Sequence, residues 1–189
     1  MAFVFTNDYI GAPPIASTQA ATLSITQGAT TVYPASAVGR APGTRLGMVA
    51  EAYDPTYGQG EFIYLLGVAS TVVGSMVVWD GASSGTPTYQ TALCPSTGGL
   101  GQPVAFAMSA NVAGQYGWYQ VSGSCVAATN GTLAAGPGPV YIGTTGTVTS
   151  TQAAGKQIVN ARNDTATGTP AANQAVLLIQ RPFAQGQIL

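Results

Sequence analysis

Charge is what this sequence has least of. Only 6% of its 189 residues are Asp, Glu, Lys or Arg, against about 25% in an ordinary soluble domain. There is one lysine, Lys156, and four scattered arginines, Arg40, Arg45, Arg162 and Arg181. A nucleic-acid-binding face needs clustered basic residues, so no nucleic-acid partner is expected. From Gly81 to Gly155 no charged residue occurs. The net charge of −1, with so little charge of either sign, gives weak mutual repulsion and favours association.

Histidine is absent altogether, which removes the commonest general base, the usual catalytic triads and the usual zinc and copper sites. Two cysteines, Cys94 and Cys125, have no metal-ligand spacing. A disulfide, free thiols and buried small hydrophobes all remain open, and two unpaired thiols are the expectation. Long apolar runs are missing too. Mean hydropathy is +0.26, yet no stretch of about 18 apolar residues is free of Gly, Ser, Thr or Gln, so no membrane partner is expected. Residues Met1 to Tyr9 lack the basic start and apolar stretch of a secretory signal, which leads us to expect synthesis and assembly in a cytoplasm.

What the chain does have is glycine, proline and short apolar runs. Residues 1–45 are rich in Ala, Ser, Thr, Gly and Pro and read as an extended N-terminal arm with one or two strands. Their spaced aromatics, Phe3, Phe5, Tyr9 and Tyr33, exceed what a solvated tail requires and point to docking on a partner. Residues 46–189 read as one β-rich domain, long enough to bury roughly 70% of its unfolded surface.

Within that domain about nine strands are expected: Leu46 to Tyr53, Glu61 to Ser70, Ser75 to Asp80, Val104 to Met108, Tyr116 to Ser122, Cys125 to Ala128, Val140 to Ile142, Gln157 to Arg162 and Ala175 to Gln180. They are rich in Val, Ile, Tyr, Phe and Trp, and Asp80-Gly81, Asn130-Gly131 and Gly136-Pro-Gly-Pro139 punctuate them as turns. No segment has a helical stripe with caps. Phe62 to Leu66 and Val176 to Ile179 are apolar on both faces, so their sheet should be covered on both sides, as in a small all-β barrel or a β-sandwich with a subunit interface.

Candidate chemistry is sparse. Gly98-Gly-Leu-Gly101 and Gly136-Pro-Gly138 lack the Lys-Ser/Thr and helix start of a phosphate loop. Glu51, Asp54 and Glu61 offer the two carboxyl groups that glycoside hydrolysis needs. The same three form no calcium-loop motif, and Asp54 to Gly60 reads better as a turn, with Glu51 and Glu61 as cross-strand neighbours of Arg40 or Arg45. Lys156 has no Ser-x-x-Lys partner. The sequons Asn130-Gly-Thr132 and Asn163-Asp-Thr165 read as turns in a chain with no secretory signal. On a strand, Tyr116 to Val121 presents a heavily aromatic face; core or subunit interface is the better reading over a sugar-stacking platform. We therefore expect a non-enzymatic chain without cofactor or metal, whose partner contacts are Phe3, Phe5, Tyr9, Tyr33, Trp118 and Tyr119.

The blocks Gly60 to Ser70, Gly74 to Val78, Pro103 to Ala113, Gln115 to Gly123 and Arg181-Pro-Phe183, taken in order over residues 46–184, resemble the capsid decoration, or cement, proteins of tailed bacteriophages. The resemblance implies a β-rich domain on the outer face of the phage head. There, often as a homotrimer, it would bridge major capsid protein subunits and resist the pressure of packaged DNA. It carries over no catalytic residue. A tail, collar or head-fibre component and a carbohydrate-binding or carbohydrate-cleaving module are the competing readings.

Overall fold

The computed structural model describes residues 3–6, 12–20, 25–27, 30–33, 45–80, 89–111 and 114–187. Those residues form an all-β protein. Four short strands come first: β1 (Val4–Phe5), β2 (Thr18–Ala20), β3 (Ile25–Gln27) and β4 (Thr30–Tyr33). Then follow β5 (Val49–Asp54), β6 (Gly58–Leu66), β7 (Met76–Asp80), β8 (Gln90–Leu93), β9 (Val104–Ala107) and the long β10 (Gln115–Ala128). The last are β11 (Gly138–Ile142), β12 (Val148–Thr149), β13 (Gln157–Asn163) and β14 (Gln174–Ala184). Strands β3 and β4 pair with each other, and the other twelve belong to one sheet.

Both architectures expected from the sequence coexist. Strand β6 pairs with β8, β8 with β7, β7 with β9, β9 with β10, and β10 returns to β6, so five strands close a small barrel. The weakest seam is the parallel β6–β8 contact at Leu66 and Gln90, where the Thr91 hydroxyl also donates to the Leu66 carbonyl at 2.9 Å. Past Gly123, β10 leaves the barrel and pairs over Ser122–Ala128 with β14, which continues to β13, β11 and β12.

Strand alternation distributes the side chains among three cores. Ile63, Leu65, Val77, Ala105, Ala107, Tyr119 and Val121 fill the barrel. Met76, Val78, Val104 and Phe106 leave the outer side of the same barrel strands and pack with Cys125 of β10, Leu177 and Ile179 of β14 and Ile158 of β13. Phe62, Tyr64, Tyr116 and Trp118 project from the other outer side and are covered by Phe3 and Ile15. Each such fully buried large side chain contributes about 1.5–3 kcal/mol.

Among the described residues, ten strands stand within residues 46–189 where about nine were expected, and four short ones stand in the N-terminal segment where one or two were expected. Tyr116–Ser122 and Cys125–Ala128 are one strand, and six short ones, β1 to β4, β8 and β12, carry no apolar run that announces them. The segment read as an extended partner-seeking arm also differs where it is described: β1 pairs with β5, β2 pairs with β10, and Phe3 and Ile15 are core residues. Covering Phe62 and Trp118 with its own chain removes apolar area from water without any partner.

Candidate functional site

Of the six aromatic residues expected to meet a partner, four have described side chains and these pack inside the chain. Trp118 and Tyr119 are 0% exposed. Neither can meet a partner without unfolding, which corrects that expectation. The Trp118 indole donates to the Pro13 carbonyl at 2.9 Å, while the Tyr119 hydroxyl accepts from the Asn111 amide at 2.7 Å. Burial pushes the Tyr119 hydroxyl above its ordinary pKa, and hydrogen bonds with Thr91 and Asn111 oppose that shift. Phe3 meets the Phe62 ring edge-on at 4.8 Å and Phe5 meets Trp118 at 5.4 Å, geometries that aromatic quadrupoles favour. Tyr33 pairs through its backbone with Ile25; its side chain and the whole of Tyr9 lie outside the described residues.

The carboxylates are held by local structure. Asp54 is buried, and one of its oxygens accepts from the backbone N–H of Thr56 at 2.7 Å and of Tyr57 at 3.2 Å, the turn that its sequence context announces. Glu51 and Glu61 lie directly opposite each other on β5 and β6. Glu51 accepts from the Gln59 amide at 3.1 Å, and Glu61 pairs with Arg181 at 3.1 Å. The cation beside Glu61 is thus Arg181, 120 residues away, and not Arg45; Arg40 lies outside the described residues.

Lys156 borders a polar cleft of about 530 Å³ together with Asn130, Thr144, Thr149 and Thr151, with no carboxylate in its lining. Cys94 and Cys125 are both free and buried. Burial pushes the Cys94 thiol up to about 12 and raises that of Cys125 well above its ordinary range, so both are protonated and unreactive at neutral pH. Among the described residues no three His, Cys, Asp or Glu side chains gather into a metal site, and no helix is long and apolar enough to cross a membrane.

The surface that stands out is one that the sequence reading missed. Register places Val159 opposite Phe183, and Arg162 opposite Leu178, on β13 and β14. Their neighbours Ile158, Ile179 and Ala184 point into the core, so these four face outward. Val159 is 43%, Leu178 40% and Phe183 41% exposed, and Val49 on β5 is 44% exposed. Bulges in β10 and β13 open an adjoining cleft of about 500 Å³, lined in part by Ser122, Asn160, Arg162, Leu178 and Gln180. The signal was present in Val176 to Ile179, apolar on both faces: Leu177 and Ile179 are fully enclosed, while Leu178 waits uncovered.

No family model matches this chain, and no curated protein matches it in sequence. What this surface offers chemically is apolar area edged by amides and hydroxyls, with Arg162 and the Arg181–Glu61 pair as its nearby charges. Such a surface can bury against another protein at low desolvation cost, because few charges must leave water.

Proposed function

We propose that this chain is a structural virion protein, a capsid decoration or cement protein. It binds the outer face of a phage head, bridges major capsid protein subunits and self-associates as a homotrimer. The observation that carries this reading is the outward apolar set of Val49, Val159, Leu178 and Phe183, on a chain whose own cores are already filled. Patches of this kind mark interaction sites. Two further facts support it: the chargeless stretch from Gly81 to Gly155, and the ordered block resemblance between residues 46 and 184.

The mechanism is physical. Each copy buries modest apolar area against capsid and neighbour, and repetition over the lattice multiplies the stabilisation. Contacts without ion pairs also weaken little with salt. Adding the purified chain to heads that lack it tests the proposal: saturable binding and a higher temperature for head rupture are expected, whereas no binding at any salt concentration overturns it. Trp118 and Tyr119, the two aromatic residues of the sugar-platform reading, are fully enclosed.

A further inference from the structure

A pocket of about 270 Å³ forms a mouth to the barrel: Ile63 and Val121 of the barrel core and Trp79, which packs against that core, make its floor, and Val49, Pro103 and Phe183 make its rim. Its rim is built by β14: Arg181 lies in the left-handed region at φ 47°, and beyond it Phe183 forms an isolated bridge with Pro103.

Three features specify an occupant. The lining is mostly apolar, and its one charge among the described residues, Arg181, is paired with Glu61, so the pocket favours a neutral group over a charged one. The indole N–H of Trp79, which lines the pocket, is buried and has no acceptor among the described residues, which leaves an unmet need for one. The apolar surface does not stop at the rim: Phe183 stands opposite Val159, and both are exposed along with Val49 and Leu178. An occupant that uses all of this area extends well beyond the pocket, as a polypeptide does.

We infer that the barrel mouth is the anchor pocket for the capsid partner, taking one aliphatic or aromatic side chain from an uncharged, extended segment of that protein. This rests on the proposed function. The anchor's backbone supplies a carbonyl to the Trp79 indole, while the flanking residues lie over Phe183 and Val159. A buried apolar anchor surrounded by contacts that exclude water is how small interfaces concentrate their affinity.

The test compares wild type with Phe183→Asp, Val49→Asp and Val72→Asp in binding to heads that lack the chain. Val72 is exposed and lies outside the pocket, so it controls for added charge. Circular dichroism establishes that each variant is folded. Both rim variants should bind at least tenfold more weakly, with Val72→Asp unchanged. If wild type binds and the folded rim variants bind equally well, the anchor pocket is overturned and the decoration reading stands.

If wild type itself does not bind heads, the decoration reading fails, and a second measurement decides the pocket alone. N-acetyl-L-leucinamide, a neutral apolar side chain flanked by carbonyls, is titrated into the full chain while the two indole N–H resonances are followed by NMR. A saturable shift at Trp79, with Trp118 unmoved, supports the pocket. No shift up to the probe's solubility limit, or equal shifts at both, overturns it.

Discussion

The indole nitrogen of Trp118 donates to the carbonyl of Pro13 across 105 residues of chain at 2.9 Å. It fastens the N-terminal segment over the outer side of the barrel, where Phe3 and Ile15 close the core around Phe62 and Tyr64. That segment is therefore part of the folding unit.

Removing residues 1–17 should destabilise the protein by at least about 3 kcal/mol, because Phe3 and Ile15 each contribute about 1.5–3 kcal/mol of burial. Trp118→Phe should cost about 1–3 kcal/mol, since it leaves the Pro13 carbonyl enclosed without a donor. Urea unfolding checks both. A truncated chain as stable as the full one would show that the N-terminal segment adds nothing to the fold.

Much of the fold was legible where alternation met a long run. In Phe62 to Leu66, Phe62 and Tyr64 serve one core and Ile63 and Leu65 another, as two-sided apolarity requires. The aromatic run from Tyr116 was legible as a strand for the same reason, but alternation alone does not separate a core from a subunit interface, and Trp118 and Tyr119, expected to meet a partner, are enclosed by their own chain. The seam that closes the barrel was not, because it depends on Leu66 meeting Gln90 and no local pattern encodes that register. Nor was the burial of Phe3 and Ile15, which short apolar pieces among Gly and Pro do not announce. At the candidate surface, Leu178 could be seen to need a cover, whereas the facing of Val159 and Phe183 depends on bulges.

Gly123 marks where β10 passes from barrel to sandwich. Its φ is 95°, and a Cβ there would run into the Gln59 carbonyl. Gly123→Ala should lower stability by about 2 kcal/mol or more, from backbone strain with the clash added. Thermal unfolding measures this, and a neutral result would contradict the described bend.

The buried thiols set an alkaline limit. Cys94 titrates near 9.0 when unfolded and at about 12 when folded. Below pH 9 both states are protonated and stability should not respond to this group. Between pH 9 and about 12 the unfolded chain releases the proton first, so stability should fall as pH rises. Urea midpoints across that range should drop, and Cys94→Ala should flatten the fall. At pH 8 a thiol reagent should modify the native protein only as fast as it unfolds.

Glu51 and Glu61 face each other across β5 and β6, an unfavourable like-charge pair that Arg181 relieves on one side. Glu51→Gln should raise stability by a few tenths of a kcal/mol at low salt, and the gain should fade as salt is added. A loss of stability would mean that the Gln59 bond outweighs the repulsion.

Cryo-electron microscopy of the intact particle tests the central proposal most directly. The account predicts density for this chain at regular positions on the outer face of the head, with the surface of Val49, Val159, Leu178 and Phe183 buried against capsid subunits. Density on the tail alone or a particle without this chain would contradict it, whereas a head-bound copy with those four residues facing solvent would keep the decoration and overturn that surface as its contact.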